Sequence, residues 1–515
     1  MKRFAVSAMA LAVVLIADTT LAKEITIGVP SHRKVFDPSV DASNAGGQFS
    51  YSIFDTLIER DAFAAGKFVP GLATEWKMIE PTVMELKLRE GVTFHNGDTM
   101  DAEDVAASLN PIFQQTWPRT GVVFGRFYYN FKEVEIVDPM TVRIHTHQPD
   151  PLIETLLSAR NGAIKSKTRI DEVGLDDYGI LPVGAGPYRV VSFEPDQELV
   201  VERFEDYWGE PAPLDKITFL RIPEVANRIT ALVSGEIDMA SELPPDQMPL
   251  VDREDGLKRV DVTWDMFHVL VLNQGHEVMK DQKLRQALKL AVDLDTITEG
   301  LWKGRGISGS AGHQFPAYGD MYTEGLEVSP YDVDKARALL AESNYNGETI
   351  EMPVFPYYYL YGPLAAQAIA EMWQEIGVNA ELKSIAPGSL TVDVDSEIAV
   401  RQWSNPMYYN DIMGGMDTSW SDTSWVTQRG FFDPTVDPRW KDLYQSARFS
   451  LDQDERKAAY QELMAVGEEM AGWILLYQPA DSYAMKDCIE YQVPSALRPL
   501  MLALRAGQIN VDACE

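Results

Sequence analysis

The chain of 515 residues carries 45 Lys and Arg against 78 Asp and Glu, a formal charge of −33. That sign argues against nucleic acid and anionic membranes as partners, because both are bound through Lys and Arg. With 45% hydrophobic and 24% charged residues, the composition is that of a globular protein, and its length predicts two or three domains.

The first segment, "MKRFAVSAMALAVVLIADTTLA", has Lys2 and Arg3 ahead of a short apolar run and ends on small residues. It reads as a signal peptide over 1–22, too short in its apolar part for a bilayer span. Removing it leaves a chain starting at Lys23 with a charge of −34. The residue directly after the cleavage position is Lys23 and not Cys, so the expectation is a soluble periplasmic protein without a lipid anchor.

Next, "EITIGV" (24–29) alternates with period two and predicts a strand. "VMELKLREGVTF" (83–94) predicts a strand and turn, and "DAEDVAASL" (101–109) a helix capped by Asp101. "TVRIHTH" (141–147) alternates again, and "ANRITALVSGEIDMA" (226–240) is a helix stopped near Gly235 and followed by a short strand. "DQKLRQALKLAVDLDTI" (281–297) sets Leu284, Leu288 and Ala291 on one helical face. "LAAQAIAEMWQEIGV" (364–378) is a second amphipathic helix, ended by Gly377. "IAVRQW" (398–403) predicts a strand that "SNP" leaves in a turn, "DERKAAYQELMAVGEEM" (454–470) a helix, and "WILLYQ" (473–478) a buried strand. Helices and strands mix throughout, which places the chain in the α/β class with α+β portions.

Only two Cys occur, Cys488 and Cys514, both in the exported part. An oxidising compartment favours a bridge between them. There is no G-x-S-x-G elbow, no phosphate-binding GxxxxGK[ST] loop and no HExxH. His145 and His147 share a strand face, but no third ligand is visible beside them, so neither a metal site nor a cofactor is assigned.

Five segments in order resemble one family: "FHNGDTMDAEDVAASL" (94–109), "VGAGPYRV" (183–190), "DYWGEPAPLDKITFLRI" (206–222), "ALVSGEIDMA" (231–240) and "RQALKLAVD" (285–293). They are similar to the peptide/nickel/opine-type solute-binding proteins of ABC importers (family 5, cluster C). The resemblance implies a two-lobed, type II periplasmic-binding-protein fold with an extra subdomain in the first lobe. It implies transport rather than catalysis, with a small-molecule ligand and permease subunits as partners, and a monomer. The expected division is 23–55, 182–264 and 480–515 for the core of lobe I, 56–181 for the extra subdomain and 265–479 for lobe II. The segments 264–274 and 473–485 are the candidate crossing strands. In "GAGPY", Gly184 and Gly186 permit backbone shapes that other residues avoid, and Pro187 fixes its own φ after them.

The ligand is less legible. Dipeptide binders of the family follow the Trp aligned here with Trp403 by an Asp that receives the peptide ammonium, and carry an Arg that clamps the carboxylate. Here Ser404, Asn405 and Pro406 come after Trp403, the next Asp is Asp411, and Phe355 falls where the Arg would be. A buried ammonium or carboxylate without a partner costs several kcal/mol, so an ordinary zwitterionic dipeptide is not expected. The candidate ligand-binding residues are Phe355, Tyr357, Tyr358, Arg401, Trp403, Ser404, Asn405 and Tyr408, with His32 added. Rings with amides and hydroxyls suit an oligosaccharide. They also suit a quaternary ammonium solute, and Arg401 could hold the acid of an opine-like one. An oligopeptide in a non-standard pose remains an alternative, as does, in another class, a secreted hydrolase.

Overall fold

The computed structural model describes residues 23–32, 35–39, 44–61, 63–64, 67–116, 127–194, 196–309, 312–326, 330–355, 359–385, 398–493 and 504–514. Among them no helix is long and apolar enough to cross a membrane.

A seven-stranded sheet runs in the order Leu257–Thr263, Ala480–Lys486, Met239–Leu243, Glu24–Val29, Lys216–Arg221, Glu198–Arg203, Tyr188–Glu194. The strand predicted at 24–29 lies inside it, parallel to both neighbours, with Ile27 opposite Phe219 and Met239. Ile25, Ile27, Phe219 and Met239 belong to one core, and Ile237, Ala240 and Leu243 to a second formed with the helix Val225–Val233. That helix stops at Ser234, and Gly235 takes the left-handed backbone (φ 78°) that ends it.

A four-stranded antiparallel sheet is built from Ala73–Glu80, Val83–Leu88, Thr141–Thr146 and Phe131–Asp138. Across it lies the helix Ala102–Phe113, whose Asp101 cap accepts from the Glu103 amide at 2.7 Å. On this sheet His145 pairs with Glu135 at 2.8 Å.

A second four-stranded sheet holds Ile307–Ser308, Trp473–Gln478, Met266–Leu272 and Val400–Pro406, in that order. It is joined to the seven-stranded sheet twice: Leu257–Thr263 passes into Met266–Leu272 through Trp264 and Asp265, and Trp473–Gln478 into Ala480–Lys486 through Pro479. The two crossings run side by side, with the Trp264 amide donating to the Pro479 carbonyl at 2.9 Å.

Three expectations are corrected. The predicted helix 281–297 is two helices, Gln282–Leu290 and Leu294–Trp302, because Asp293 accepts from the Thr296 amide at 2.9 Å and caps a new start. The predicted strand 398–403 is Val400–Pro406: Ser404, Asn405 and Pro406 stay in register with His268, Phe267 and Met266. Proline is tolerated there because the strand is at the sheet edge. In "GAGPY" neither Gly184 nor Gly186 has a positive φ. Each is Gly for space, since a Cβ would lie 2.0 Å from the Ile53 oxygen at Gly184 and 2.6 Å from the Ile53 carbonyl carbon at Gly186. The turn is tied to the "FHNGD" turn by His95, whose ring donates to the Gly186 carbonyl at 2.9 Å.

Near the chain end Cys488 and Cys514 form the expected disulfide, beside the strand pair Glu490–Tyr491 and Ile509–Asn510. Arg505 then joins Asp55, which also accepts from the Trp208 indole at 2.7 Å, so the Trp of "DYWGEP" is an architectural residue.

Candidate functional site

The edge strand Val400–Pro406 sorts the candidate residues by alternation. Arg401, Trp403 and Asn405 face one side with their partners Val271, Val269 and Phe267. Gln402 and Ser404 face the other, where Ser404 stands opposite His268. The aromatic and amide groups of one short stretch are thus divided between two faces.

On the first face the Arg401 guanidinium lies 4.8 Å from the ring centroids of both Trp403 and Trp425. The two indoles are 4.6 Å apart. Trp403 is half-buried, and its indole N–H has no hydrogen-bond partner among the described residues. Asn405 is fully buried: its amide donates to His313 Nε2 at 2.7 Å, and its oxygen accepts from Ser419 at 3.0 Å. Burial holds the His313 pKa down at about 4, so the ring is neutral and can accept.

On the second face His268 lies 5.1 Å from both Tyr359 and Tyr477, and burial lowers its pKa to about 3. Phe355 joins this group through Tyr359, with centroids 6.3 Å apart. Gln402 donates to the Gly362 carbonyl at 2.9 Å. Tyr357 and Tyr358 lie outside the described residues. His32 sits elsewhere, 6.2 Å from each of Phe49 and Phe193, its pKa lowered to about 4 chiefly by burial. Its described ring contacts are with neither face of the edge strand.

Beyond the strand, the segment 407–411 reaches the part of the chain that carries the 73–146 sheet. Tyr408 packs on Phe127 at 5.2 Å and Tyr409 on the same ring at 5.8 Å. The Asn410 carbonyl accepts from Arg60 at 3.4 Å. Asp411, the first carboxylate after Trp403, is bound to Arg456 at 2.6 Å. Deeper in the same junction the fully buried Arg448 donates to both Asp150 oxygens, at 2.7 and 3.0 Å, and to Asp417 at 3.3 Å. Asp417 also accepts from the Tyr409 and Tyr444 hydroxyls. Burial raises the Asp417 pKa; burial of Asp150 is outweighed by Arg448, which keeps its carboxyl below the usual value.

Sequence reasoning missed this junction. Asp150 and Arg448 are 298 positions apart, and nothing local marks either. Arg160 carries one signal, a lone cation in the otherwise uncharged run "LLSARNGAI" (156–164).

The family described as "Bacterial extracellular solute-binding proteins, family 5 Middle" matches residues 67–427. The chain belongs to that family. It is 24% identical over 457 residues to the glutathione-binding protein GsiB of Escherichia coli K12, covering 86% of this chain and 84% of that one. Among solved structures, it is similar to the periplasmic binding protein DppA of Helicobacter pylori, in complex with the peptide STSA. That match has a TM-score of 0.84 and 20% identity, over 95% of this chain and 98% of the other. The binding protein AgaA of A. tumefaciens R10, in complex with agropinic acid, matches with a TM-score of 0.83 and 21% identity, over 95% and 99%. The likeness to these structures shows the two-lobed type II periplasmic-binding-protein fold.

Proposed function

We propose that this chain is the periplasmic, unanchored and monomeric binding component of an ABC importer, capturing a small molecule between two lobes and presenting it to permease subunits. Lobe I is assigned to 23–55, 182–264 and 480–515, with 56–181 as its added subdomain, and lobe II to 265–479. The side-by-side crossings at 264–265 and at 479 support a hinge there. A ligand that touches both lobes only when they are shut favours the shut state by its differential affinity.

The cargo is not a zwitterionic dipeptide in the family's usual pose. One observation carries this reading: Ser404, Asn405 and Pro406 follow Trp403, where the family resemblance implies an ammonium-binding Asp, and the next carboxylate, Asp411, is already spent on Arg456. Without a partner, a desolvated ammonium loses several kcal/mol, a large part of the roughly 8 kcal/mol that a micromolar affinity represents. Trp403 and Tyr408, each half-buried, are the proposed lining on lobe II, and Ser404 faces the other side of the strand. The expected cargo is an oligosaccharide, an opine-like acid or a quaternary ammonium solute. A thermal-shift screen of sugars, opines, betaines and peptides is the test. Protection by ordinary dipeptides at micromolar concentration would overturn the reading, and recovery of a hit in chemically altered form would replace binding by catalysis.

A further inference from the structure

Among the described residues Arg228, Arg285 and Arg448 are buried and Arg505 is half-buried, each with its guanidinium group answered. Arg228 donates to four backbone carbonyls, those of Ser241, Ile222, Pro223 and Glu242. Arg285 donates to those of Met470, Ala471, Met279 and Lys280. Arg448 has Asp150 and Asp417, and Arg505 has Asp55 with the Tyr51 and Phe54 carbonyls. Arg160 is different. It is 3% exposed, yet both terminal nitrogens are buried without a hydrogen-bond partner among the described residues. A buried guanidinium with no acceptor is strongly unfavourable, so a fold that keeps one has a use for its unanswered fork.

The surroundings define that use. Arg160 opens the short turn Arg160–Gly162, after the helix Ile153–Leu157. The half-buried Tyr51 is near enough that the charges of Arg160 and Arg60 both act on its phenol. Arg60 donates to Thr155 at 3.1 Å and to the Asn410 carbonyl at 3.4 Å, which ties this group to the segment after Trp403 and Tyr408. Two guanidinium groups and a phenol thus lie together where 51–60 and 155–160 meet, and one of them, Arg60, reaches the 407–411 segment. A planar guanidinium fork with two free N–H edges matches a carboxylate in a bidentate pair.

We infer that Arg160 receives a carboxylate of the captured solute, supported by Arg60 and Tyr51, so that the cargo is an organic acid. This rests on the binding-protein reading above and selects the acidic member of its ligand classes.

Two measurements test it. The first needs no ligand: the unfolding midpoint of Arg160→Met is compared with wild type and with Arg228→Met. Relief of the unanswered charge should raise the midpoint of Arg160→Met, whereas Arg228→Met should lower it. A fall as large as that of Arg228→Met would mean that the fold already satisfies Arg160, and would overturn the proposal. The second is a thermal-shift and titration series with agropinic acid, glutathione and citrate, their methyl esters, neutral sugars, glycine betaine and inorganic phosphate. The expected hit is an acid that loses binding as its ester, and loses it at least tenfold in Arg160→Met and in Arg160→Lys. A sugar or betaine that binds wild type and Arg160→Met equally would overturn the acid anchor while leaving the importer reading intact. Protection by phosphate and by none of the acids would overturn the organic cargo. If no compound protects either protein, the first measurement decides alone.

Discussion

The junction around Arg448 allows a perturbation whose size can be worked from the structure. Replacing Arg448 by Met keeps the volume but removes three charge-assisted contacts, two to Asp150 and one to Asp417. Breaking a buried pair on one side costs about 3–5 kcal/mol, because the remaining charge stays in a low-dielectric site. Here the orphaned carboxylates keep some company. Asp150 still accepts from Asn130 at 3.0 Å and the Leu152 amide at 2.8 Å, and Asp417 from two tyrosine hydroxyls. The expected loss is therefore at the low end, about 3 kcal/mol at pH 7. The pH window is set by Asp150. Its folded pKa is depressed, so its stabilisation is complete above the unfolded value near 4 and is lost as pH falls through the lower, folded value. In Arg448→Met the buried carboxyls lose the cation that offsets their desolvation, so their folded pKa rises, and the penalty should begin to shrink as pH falls through that raised value, above the range in which Asp150 titrates in the wild type. Urea titration followed by tryptophan fluorescence gives the number. The triple change Arg448→Met, Asp150→Leu, Asp417→Leu should recover most of the loss, since it leaves no carboxylate unpaired. A single-variant loss below about 1 kcal/mol, the worth of a surface pair, would refute the assignment of this pair as a buried link.

Trp403→Ala should weaken the ligand found by screening by about 2 kcal/mol or more in isothermal titration, as truncation of a buried aromatic anchor does; wild-type affinity in a folded variant would make the ring part of the core. Exchanging Cys488 and Cys514 for Ser opens a loop with a sequence separation of 26 and should lower stability by about 3 kcal/mol; an unchanged melting curve would show that the tail contributes nothing to the cooperative unit. Small-angle scattering should give a smaller radius of gyration with ligand, and an equal radius at saturation would remove the hinge. His268, depressed by burial to about 3, stabilises fully above its unfolded value near 6.5, and this is lost as pH falls towards 3. His268→Gln should therefore lose about 2 kcal/mol less than wild type between pH 6.5 and 5; identical slopes would mean that the ring is protonated where it stands.

What could be read from the sequence was what local chemistry decides. Glu24–Val29 and Trp473–Gln478 were legible to the residue, one from alternation and one from an unbroken apolar run. The cysteine pair needed only compartment and count. The end of Val400–Pro406 was not legible, because "SNP" is turn chemistry by itself and is held extended by seven residues of pairing with Met266–Leu272. The break at 291–293 failed for the opposite reason: Asp293 can cap a new helix or sit exposed on a continuing one, and only the packing decides. The same limit applied to the candidate site. Composition gathered rings and amides into one group, but alternation sends Trp403 and Ser404 to opposite faces, and Asn405 is used up inside the lobe.

The two arginines nearest to a ligand-binding role show how the structure changes the argument. Arg401 is the cation that sequence places beside Trp403, and it is indeed there, 4.8 Å from that ring and from Trp425. A guanidinium held over two indoles gains from the rings' negative faces and at the same time braces them. Its geometry therefore favours positioning Trp403 over receiving an acid. Arg160, which lies 241 positions earlier, has the opposite character: no ring or carboxylate among the described residues answers its terminal nitrogens. An acidic solute bound by Arg160 on one side and stacked on Trp403 on the other would touch both lobes. Each contact would then be complete only with the lobes together, which is the condition for a ligand to drive closure. Separate loss of either residue should leave the other contact and an open, weakly binding protein, so the two substitutions together should cost less than the sum of each alone.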